Sequence, residues 1–394
     1  MKLREEVDAL PPWEDLGHRG ALVIRSFLTP DEVAVLRADY DSSGLASNKN
    51  VNIKHVSIPA IERVRAKLMD AAEQARTRAG VDVDRIVGGG YFAIELGINN
   101  EWHADHESYF LLQEHFHYLN FWIPIEKPDP RLSNLSFVPL DTLFERAPHV
   151  EDELTGGGAI RCITADGESN IHGDDARIRH VHLDFDINDL AVTPEVEAGD
   201  LVLLRGDVFH RTQDVLTKRI AVSFRMVSSK SIVSRQRLLQ GGPVKRRMLQ
   251  SNPLLYTAAL RCFHVLGRDE VTVGELLDHL MTPRSHPVQT ALSLIELAGK
   301  WRMALPPASA FTRSPSQKKD GSILSLFWVG AIDALAGKLS SQRHRISDDA
   351  RPELRRVLDA IVPSPLKFVR TLAPALAWAV KDRVRRLFQG DDKP

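Results

Sequence analysis

The chain has 394 residues, 43% of them hydrophobic and 26% charged, and its 51 Lys and Arg against 52 Asp and Glu leave a net charge of −1. That composition supports one large domain plus a smaller one around a real core, and two cysteines, Cys162 and Cys262, are too few and wrongly spaced for a disulfide framework or a thiolate metal site. The opening MKLREEVDALPPWEDLG lacks a basic and then apolar leader, and the longest apolar runs, LAPALAWAV and ILSLFWVGAI, are too short to span a bilayer, so a cytoplasmic location is expected.

Near the start, HRGALVIRSFLTPDEVAVLRADYD reads as a short strand and then a helix, whose first turn is marked by Thr29 as N-cap, Pro30 and a capping-box Glu32. A second helix is expected over about 59–79, ending near Gly80. The pattern then turns to strands, near 84–98, 115–125, 134–139, 178–187, 200–205 and 219–227. Residues 140–177, glycine-rich at 156–158 and poor in apolar positions, interrupt this pattern and read as a long insertion, either an active-site lid or a solvated loop. From about Ser228 the signal is helical: PLLYTAALRCFHVLG, TVGELLDHLM, TALSLIELAGKWRM, SILSLFWVGAIDALAGKL, PELRRVLDAIV and LAWAVKDRVRRLFQ, broken by SAFTRSPSQKKDGS. The expected fold is mainly β with helices: a double-stranded β-helix (jelly roll, cupin-like) core over 1–228 with N-terminal packing helices, followed by a basic α-helical C-terminal module over 229–394.

The chemistry concentrates in NNEWHADHESYFLL. On an extended segment, side chains at i and i+2 point the same way, so His103 and Asp105 converge while Ala104 faces away. About a hundred residues later GDLVLLRGDVFHRTQD delivers His210 at the end of an apolar strand. Two histidines and a carboxylate can hold Fe(II) on one face and leave three coordination positions open for a bidentate cosubstrate and dioxygen. The pair alone is a weak signal, since His149/Glu151, His172/Asp174 and His182/Asp184 share the spacing. His149 and His172 sit in loop-like surroundings. His182, in the alternating VHLDFDI, is the serious rival but precedes His210 by only 28 residues, too few for the intervening strands of a barrel.

Arg219 and Arg225 fall on one face of the strand RIAVSFRMV, and either guanidinium can pair with a cosubstrate carboxylate; Arg219, nearer His210, is favoured. In HYLNFWIPI, Tyr118, Asn120 and Trp122 form the candidate cavity face and Leu119, Phe121 and Ile123 the core face. Asn120 can hydrogen-bond the same carboxylate, and Trp102 and Tyr91 are further candidates for the pocket wall, with ordinary packing the favoured reading for each of these residues. Gly88, Gly89 and Gly90 read as a bulge permitting close approach or as a plain hinge. His106, His115 and His117 crowd the region as supporting or surface residues.

Over roughly 18–227 the chain resembles the phytanoyl-CoA dioxygenase superfamily of Fe(II)/2-oxoglutarate oxygenases. GALVIRSFLTPDEVAVLRADYD resembles that family's opening strand and helix, EWHADHESYF its first ligand segment, FWIPIEKPDPRLSNLSFVPLDTL the strand, turn and strand that follow, and GDLVLLRGDVFHRTQD with RIAVSFRMV the segment bearing the distal histidine and the cosubstrate arginine. After Pro139 the chain departs from the family's Gly-Ser-His ending, reading Leu140, Asp141 and Thr142. The resemblance implies His103, Asp105 and His210 as iron ligands, Arg219 as the 2-oxoglutarate anchor, and Fe(II), 2-oxoglutarate and dioxygen as the reacting set. The expected activity is oxidation, foremost hydroxylation, of a small-molecule metabolite or natural-product intermediate, with succinate and CO2 released; desaturation, epoxidation and cyclisation stay open.

A second class is a non-catalytic jelly-roll binding protein with an interaction module. The C-terminal part carries 27 Lys and Arg against 14 Asp and Glu from Lys230 on, while the preceding part carries 24 against 38. This asymmetry predicts docking of the two parts, or assembly of a homo-oligomer through the helices. A basic face such as Arg383, Arg385 and Arg386 also raises an anionic membrane surface, but without interleaved aromatics it does not point to nucleic acid.

Overall fold

The computed structural model describes residues 13–43, 45–48, 51–96, 101–105, 111–173, 180–241 and 253–281, together with single positions at 245, 249, 286, 289–290, 292–293 and 296–297. The helical segments expected beyond 297 lie outside the described residues. Those residues divide into two compact units, one made of the described part of Met1–Ser251 with Asp269–Leu277, the other of Asn252–Arg268 and the described residues from Asp278 on. Among them, no helix is long and apolar enough to cross a membrane.

The first unit opens with helix α1 (Trp13–His18), strand β1 (Ala21–Ile24) and helix α2 (Pro30–Ser42). The capping box at α2 is as expected: Glu32 N–H donates to Thr29 Oγ1 and Thr29 N–H to Glu32 Oε2, which satisfies two backbone donors that a helix start leaves unpaired. A hairpin, β2 (Leu45–Asn48) and β3 (Val51–His55), leads to helix α3 (Ile58–Ala79), capped by Ser57 and closed by Gly80 at φ 71°, in the left-handed region that favours glycine. Its buried positions, Ile61, Val64, Leu68, Ala71, Ala72 and Ala75, recur every three or four residues and form one stripe.

That stripe packs on a seven-stranded antiparallel sheet. Its members, after β1–β3, are β4 (Arg85–Ala93), β5 (Tyr118–Glu126), β10 (Leu201–Arg205) and β12 (Ile220–Val227), in the order β1-β10-β5-β12-β4-β3-β2. Strand alternation gives the sheet two apolar faces. Leu119, Phe121, Ile123, Leu203, Val222 and Phe224 join the helices in one core. Trp122, Val202, Leu204 and Ala221 join a second core on the opposite face. Gly89 belongs to the first: a Cβ there would lie 2.8 Å from the Phe224 ring and 2.9 Å from Val56, so the chain needs glycine to let them approach.

The second core is closed by shorter strands: β6 (Leu135–Phe137), β7 (Ile160–Ala165), β8 (Glu168–Gly173), β9 (His180–Leu183) and β11 (His210–Thr212). β6 pairs with β11, and β7-β8-β9 form an antiparallel ribbon. His103 bridges the two groups, pairing with Arg161 on one side and His210 on the other. The stretch 140–177 is therefore not one loop. It contains helix α4 (Leu140–Arg146), a second short helix (Glu151–Leu154) and two strands of this layer, and it buries Leu140, Leu143, Ile160 and Ile171. Its apolar residues are few but placed at alternating positions, which low average hydrophobicity conceals.

In the second unit the helix Pro253–Leu266 buries Leu255, Leu260 and Phe263, and Arg261 Nε donates to His279 Nε2 at 3.1 Å. Leu254, Leu294 and Ile295, which the sequence also assigns to apolar helix faces, lie outside the residues whose side chains are described.

The turn between β10 and β11 is tied down by a buried pair. Arg205 reaches Asp207 through two hydrogen bonds of 3.0 and 2.7 Å, and Asp207 Oδ2 also accepts the Gly156 N–H at 2.8 Å. With the pair fully desolvated, removing one member strands the other charge. Asp207→Ala is expected to cost about 3–5 kcal/mol in urea denaturation. A loss below about 1 kcal/mol would show that the pair does not anchor this turn.

Candidate metal centre

The strand layout brings three separated segments to one point. His103 N–H donates to His210 O at 3.1 Å and His210 N–H to His103 O at 2.9 Å, so these residues form a reciprocal antiparallel pair, with ring centroids 4.4 Å apart and planes tilted by 51°. The segment is laced on its other side by Ala104 N–H to Ile160 O and Cys162 N–H to Trp102 O. Asp105 is held by its own N–H to Gly206 O and by Ala159 N–H to its carbonyl.

Each ring is oriented through Nδ1. His103 Nδ1 lies 2.6 Å from Glu101 O, and His210 Nδ1 lies 2.9 Å from Val208 O. A carbonyl only accepts, so in the neutral ring Nδ1 carries the proton and Nε2 the lone pair, the tautomer a metal ligand needs. Burial, with the neighbouring His210, pushes the His103 imidazole down to about 3, so it stays neutral at ordinary pH. Burial works to raise the Asp105 carboxyl, but the Arg225 guanidinium outweighs it and holds the group below its usual range. Asp105 Oδ1 lies 3.7 Å from Arg225 Nη2 and 3.9 Å from His210 Nε2, whereas buried Oδ2 has no hydrogen-bond partner.

One ligand atom from each of His103, Asp105 and His210 lies within 4.8 Å of the others. Ligands about 2.1 Å from a shared ion stand roughly 3 Å apart, so small side-chain rotations would close the group around a metal. Two neutral nitrogens, one ionised carboxylate and an orphaned carboxylate oxygen fit a divalent transition ion. Among the described residues no other three such side chains have ligand atoms all within 4.8 Å of one another.

The cavity beside this group is lined by Phe92, Asn120, Trp122, Arg219, Ser223 and Arg225 of the large sheet and by Leu135, Arg211 and Thr212 of the small one. The two arginines of β12 and its approach are differently engaged. Arg225 Nη1 donates to Ser223 Oγ at 3.1 Å, and Ser223 Oγ donates to Asn120 Oδ1 at 2.5 Å, so Arg225, Ser223 and Asn120 form one chain ending at Asp105. Arg219 is 2% exposed, sits 5.3 Å from the Trp122 ring, and has no hydrogen-bond partner at Nε or Nη2. Burial pushes it down to about 10, which leaves a charged guanidinium whose donors await an acceptor.

Three candidates for the pocket wall take the packing role that the sequence also allowed. Tyr91 points to the helix side and donates to Asp39 Oδ2, so Phe92, its neighbour of opposite parity, faces the cavity instead. Trp102 is buried in the second core with its Nε1 donating to Asn188 Oδ1. Tyr118 is fully buried and stacks on His115 at 4.5 Å. Ser223 was legible from its parity with Arg219; Arg211, Thr212 and Leu135 carry no sequence signal. His117 accepts from Asp82 N–H through Nδ1, and His106 lies outside the described residues.

Because folded His103 resists protonation until about pH 3, the unfolded chain takes up a proton there first as the solution is acidified. Metal-free protein should therefore lose stability as pH falls from about 6.5, by at most about 1.4 kcal/mol per unit from this group. Urea titrations across that range check it: His103→Gln should flatten the slope, and parallel slopes would refute the effect.

No family model matches the chain, and no curated protein matches it. Among solved structures, the chain is similar to the non-heme alpha ketoglutarate dependent epimerase SnoN from nogalamycin biosynthesis at 13% identity, over 56% of this chain and 82% of that one, with a TM-score of 0.35. The carbocyclase SnoK from the same biosynthesis aligns at 17% identity over 58% and 85%, with a TM-score of 0.37. HygX from Streptomyces hygroscopicus, solved with nickel and 2-oxoglutarate, aligns at 15% identity over 56% and 88%, with a TM-score of 0.34. Likeness at this level carries no weight for the chemistry of the site, which rests on the residues above.

Proposed function

We propose that the chain is an Fe(II)- and 2-oxoglutarate-dependent oxygenase of the phytanoyl-CoA dioxygenase type, built on a jelly-roll core and acting on a small-molecule metabolite or natural-product intermediate. The observation that carries the proposal is the pairing of two features in one cavity: a His103, Asp105 and His210 group, half-buried at His103 and buried at the other two, with correctly oriented imidazoles, and a buried Arg219 lacking partners for two of its nitrogens.

In this reading His103 and His210 present Nε2, and Asp105 its unpartnered Oδ2, to iron. Iron(II) with 2-oxoglutarate and dioxygen bound there would supply the oxidation of an unactivated C–H bond. The chain's own contribution is positional. Arg219 receives the far carboxylate of 2-oxoglutarate, because its planar fork matches two oxygens and its burial leaves it no competing acceptor. Trp122 stacks against that guanidinium and keeps water from it. Arg225 is already committed to Asp105 and Ser223, so it suits holding the ligand carboxylate better than holding the cosubstrate. Asn120, at the end of the same chain, sets Ser223 and offers its amide to the cavity.

The test is anaerobic calorimetry with Fe(II) and 2-oxoglutarate, followed by aerobic incubation with a metabolite library, reading succinate and new products by mass spectrometry. His103→Ala and His210→Ala should abolish iron binding and turnover. Wild-type iron affinity in either variant would end the assignment.

Arg219→Ala should weaken 2-oxoglutarate binding by about 2–3 kcal/mol, the scale of a lost charge-assisted hydrogen-bonding partner. Arg225→Ala should weaken iron retention more than cosubstrate binding. The opposite ranking would move the cosubstrate anchor to Arg225.

A further inference from the structure

Two of the rival His-x-Asp motifs, those of His172 and His182, stand clear of the buried group, yet the fold does not scatter them. β8 and β9 pair so that His172 lies directly opposite His180 and Asn170 opposite His182. Ser169, Ile171 and Leu183 turn inward, and the opposite parity puts Glu168, His172, His180 and His182 on one exposed face. Three histidines and a carboxylate share a patch two strands wide.

The closest pair has the geometry of a chelate. His172 Nδ1 and His180 Nδ1 are 3.2 Å apart, with ring centroids 4.6 Å apart and planes tilted by 47°. Two nitrogens bound at about 2.0–2.1 Å to one tetrahedral ion stand roughly 3.3 Å from each other, so both lone pairs can meet a single ion with little movement. A proton shared between the rings fits the same distance and is what a metal would displace. Burial together with His180 depresses the His172 imidazole, which keeps a lone pair available. His182 follows two residues after His180 on the same face, its Nε2 3.7 Å from Glu168 Oε2 and its Nδ1 3.4 Å from Asn170 Oδ1. Its exposed ring can rotate to become a third ligand. Arg161, in register with His172 on β7, opposes a second cation and limits the affinity to that of an open surface site.

We propose that His172 and His180, assisted by His182, form a second, surface metal site for an imidazole-preferring divalent ion: Zn(II), Ni(II) or Cu(II), not Mg(II) or Ca(II). The ion would clasp β8 to β9. Because β7 of the same ribbon pairs with His103, the clasp braces the layer that carries the buried ligands.

Native mass spectrometry and equilibrium dialysis of the full chain with Zn(II) test this. Wild type should hold one more zinc than His172→Ala/His180→Ala, or than the milder His172→Gln/His180→Gln that guards against misfolding, with affinity for that ion falling at least tenfold. His182→Ala should weaken it several-fold, and Cu(II) at this site should give an electron paramagnetic resonance spectrum with two coordinated nitrogens. Equal zinc stoichiometry and affinity in wild type and both double variants would overturn the proposal, as would Mg(II) binding as tightly as Zn(II). Zinc lost from the hairpin variants but retained by His103→Ala supports this site whatever becomes of the oxygenase assignment.

Discussion

The reciprocal hydrogen-bonded pair between His103 and His210 is the contact on which the rest of the first unit's chemistry depends. These residues come from segments more than a hundred positions apart, and their backbones exchange N–H and C=O groups as one antiparallel rung. Such a rung fixes the directions of both side chains at once, because strand geometry sends facing residues to the same side of the sheet. Flanking strands then lock it: β7 on one side through Ala104 and Cys162, β6 on the other through Phe137. A ligand pair built on sheet backbone needs little reorganisation to receive a metal.

Around that rung the charges are arranged asymmetrically. Asp105 is the acidic member of the cavity lining, with three arginines, Arg211, Arg219 and Arg225, in the same lining. Arg225 stabilises the ionised carboxylate, and the Ser223–Asn120 pair engages Arg225 in turn, so this arginine is already committed while Asp105 Oδ2 is left without a hydrogen-bond partner. Arg219 is the opposite case. A buried guanidinium with unsatisfied donors costs stability unless an anion supplies acceptors, and Arg219 keeps two such nitrogens, Nε and Nη2.

Much of this was legible in the chain, and the exceptions have physical causes. His103, Asp105 and His210 could be brought together because i and i+2 parity and the strand-end position of His210 are local facts, as are the capping residues of α2 and α3. The parity of β5 correctly separated Asn120 and Trp122 from Leu119, Phe121 and Ile123. Parity gave no assignment for Tyr91, since three consecutive glycines in β4 remove the side chains from which it is read, and Phe92 takes the cavity side. Residues 140–177 failed for a different reason. β7 and β8 each bury only one face, and their inward residues, Ile160, Cys162, Ser169 and Ile171, are few and mixed in polarity, so their burial comes from partners that no local window contains.

The four His-x-acid pairs of this chain show that spacing is only the first of two conditions for chemistry. His103 and His182 both precede an acid by two residues on an extended segment. The first lies in the layer that closes the second core, where desolvation keeps the imidazole neutral, a backbone carbonyl fixes its tautomer and a specific cation holds the neighbouring carboxylate ionised. The second lies on an outer face, where water satisfies whatever the neighbours do not, and any ion it binds must be won from solvent by a cross-strand partner. Which face of a strand the motif occupies therefore decides whether the same spacing meets a desolvated cluster or open solvent, and that choice is made by pairings between residues far apart in the chain, His103 with Arg161 and His210.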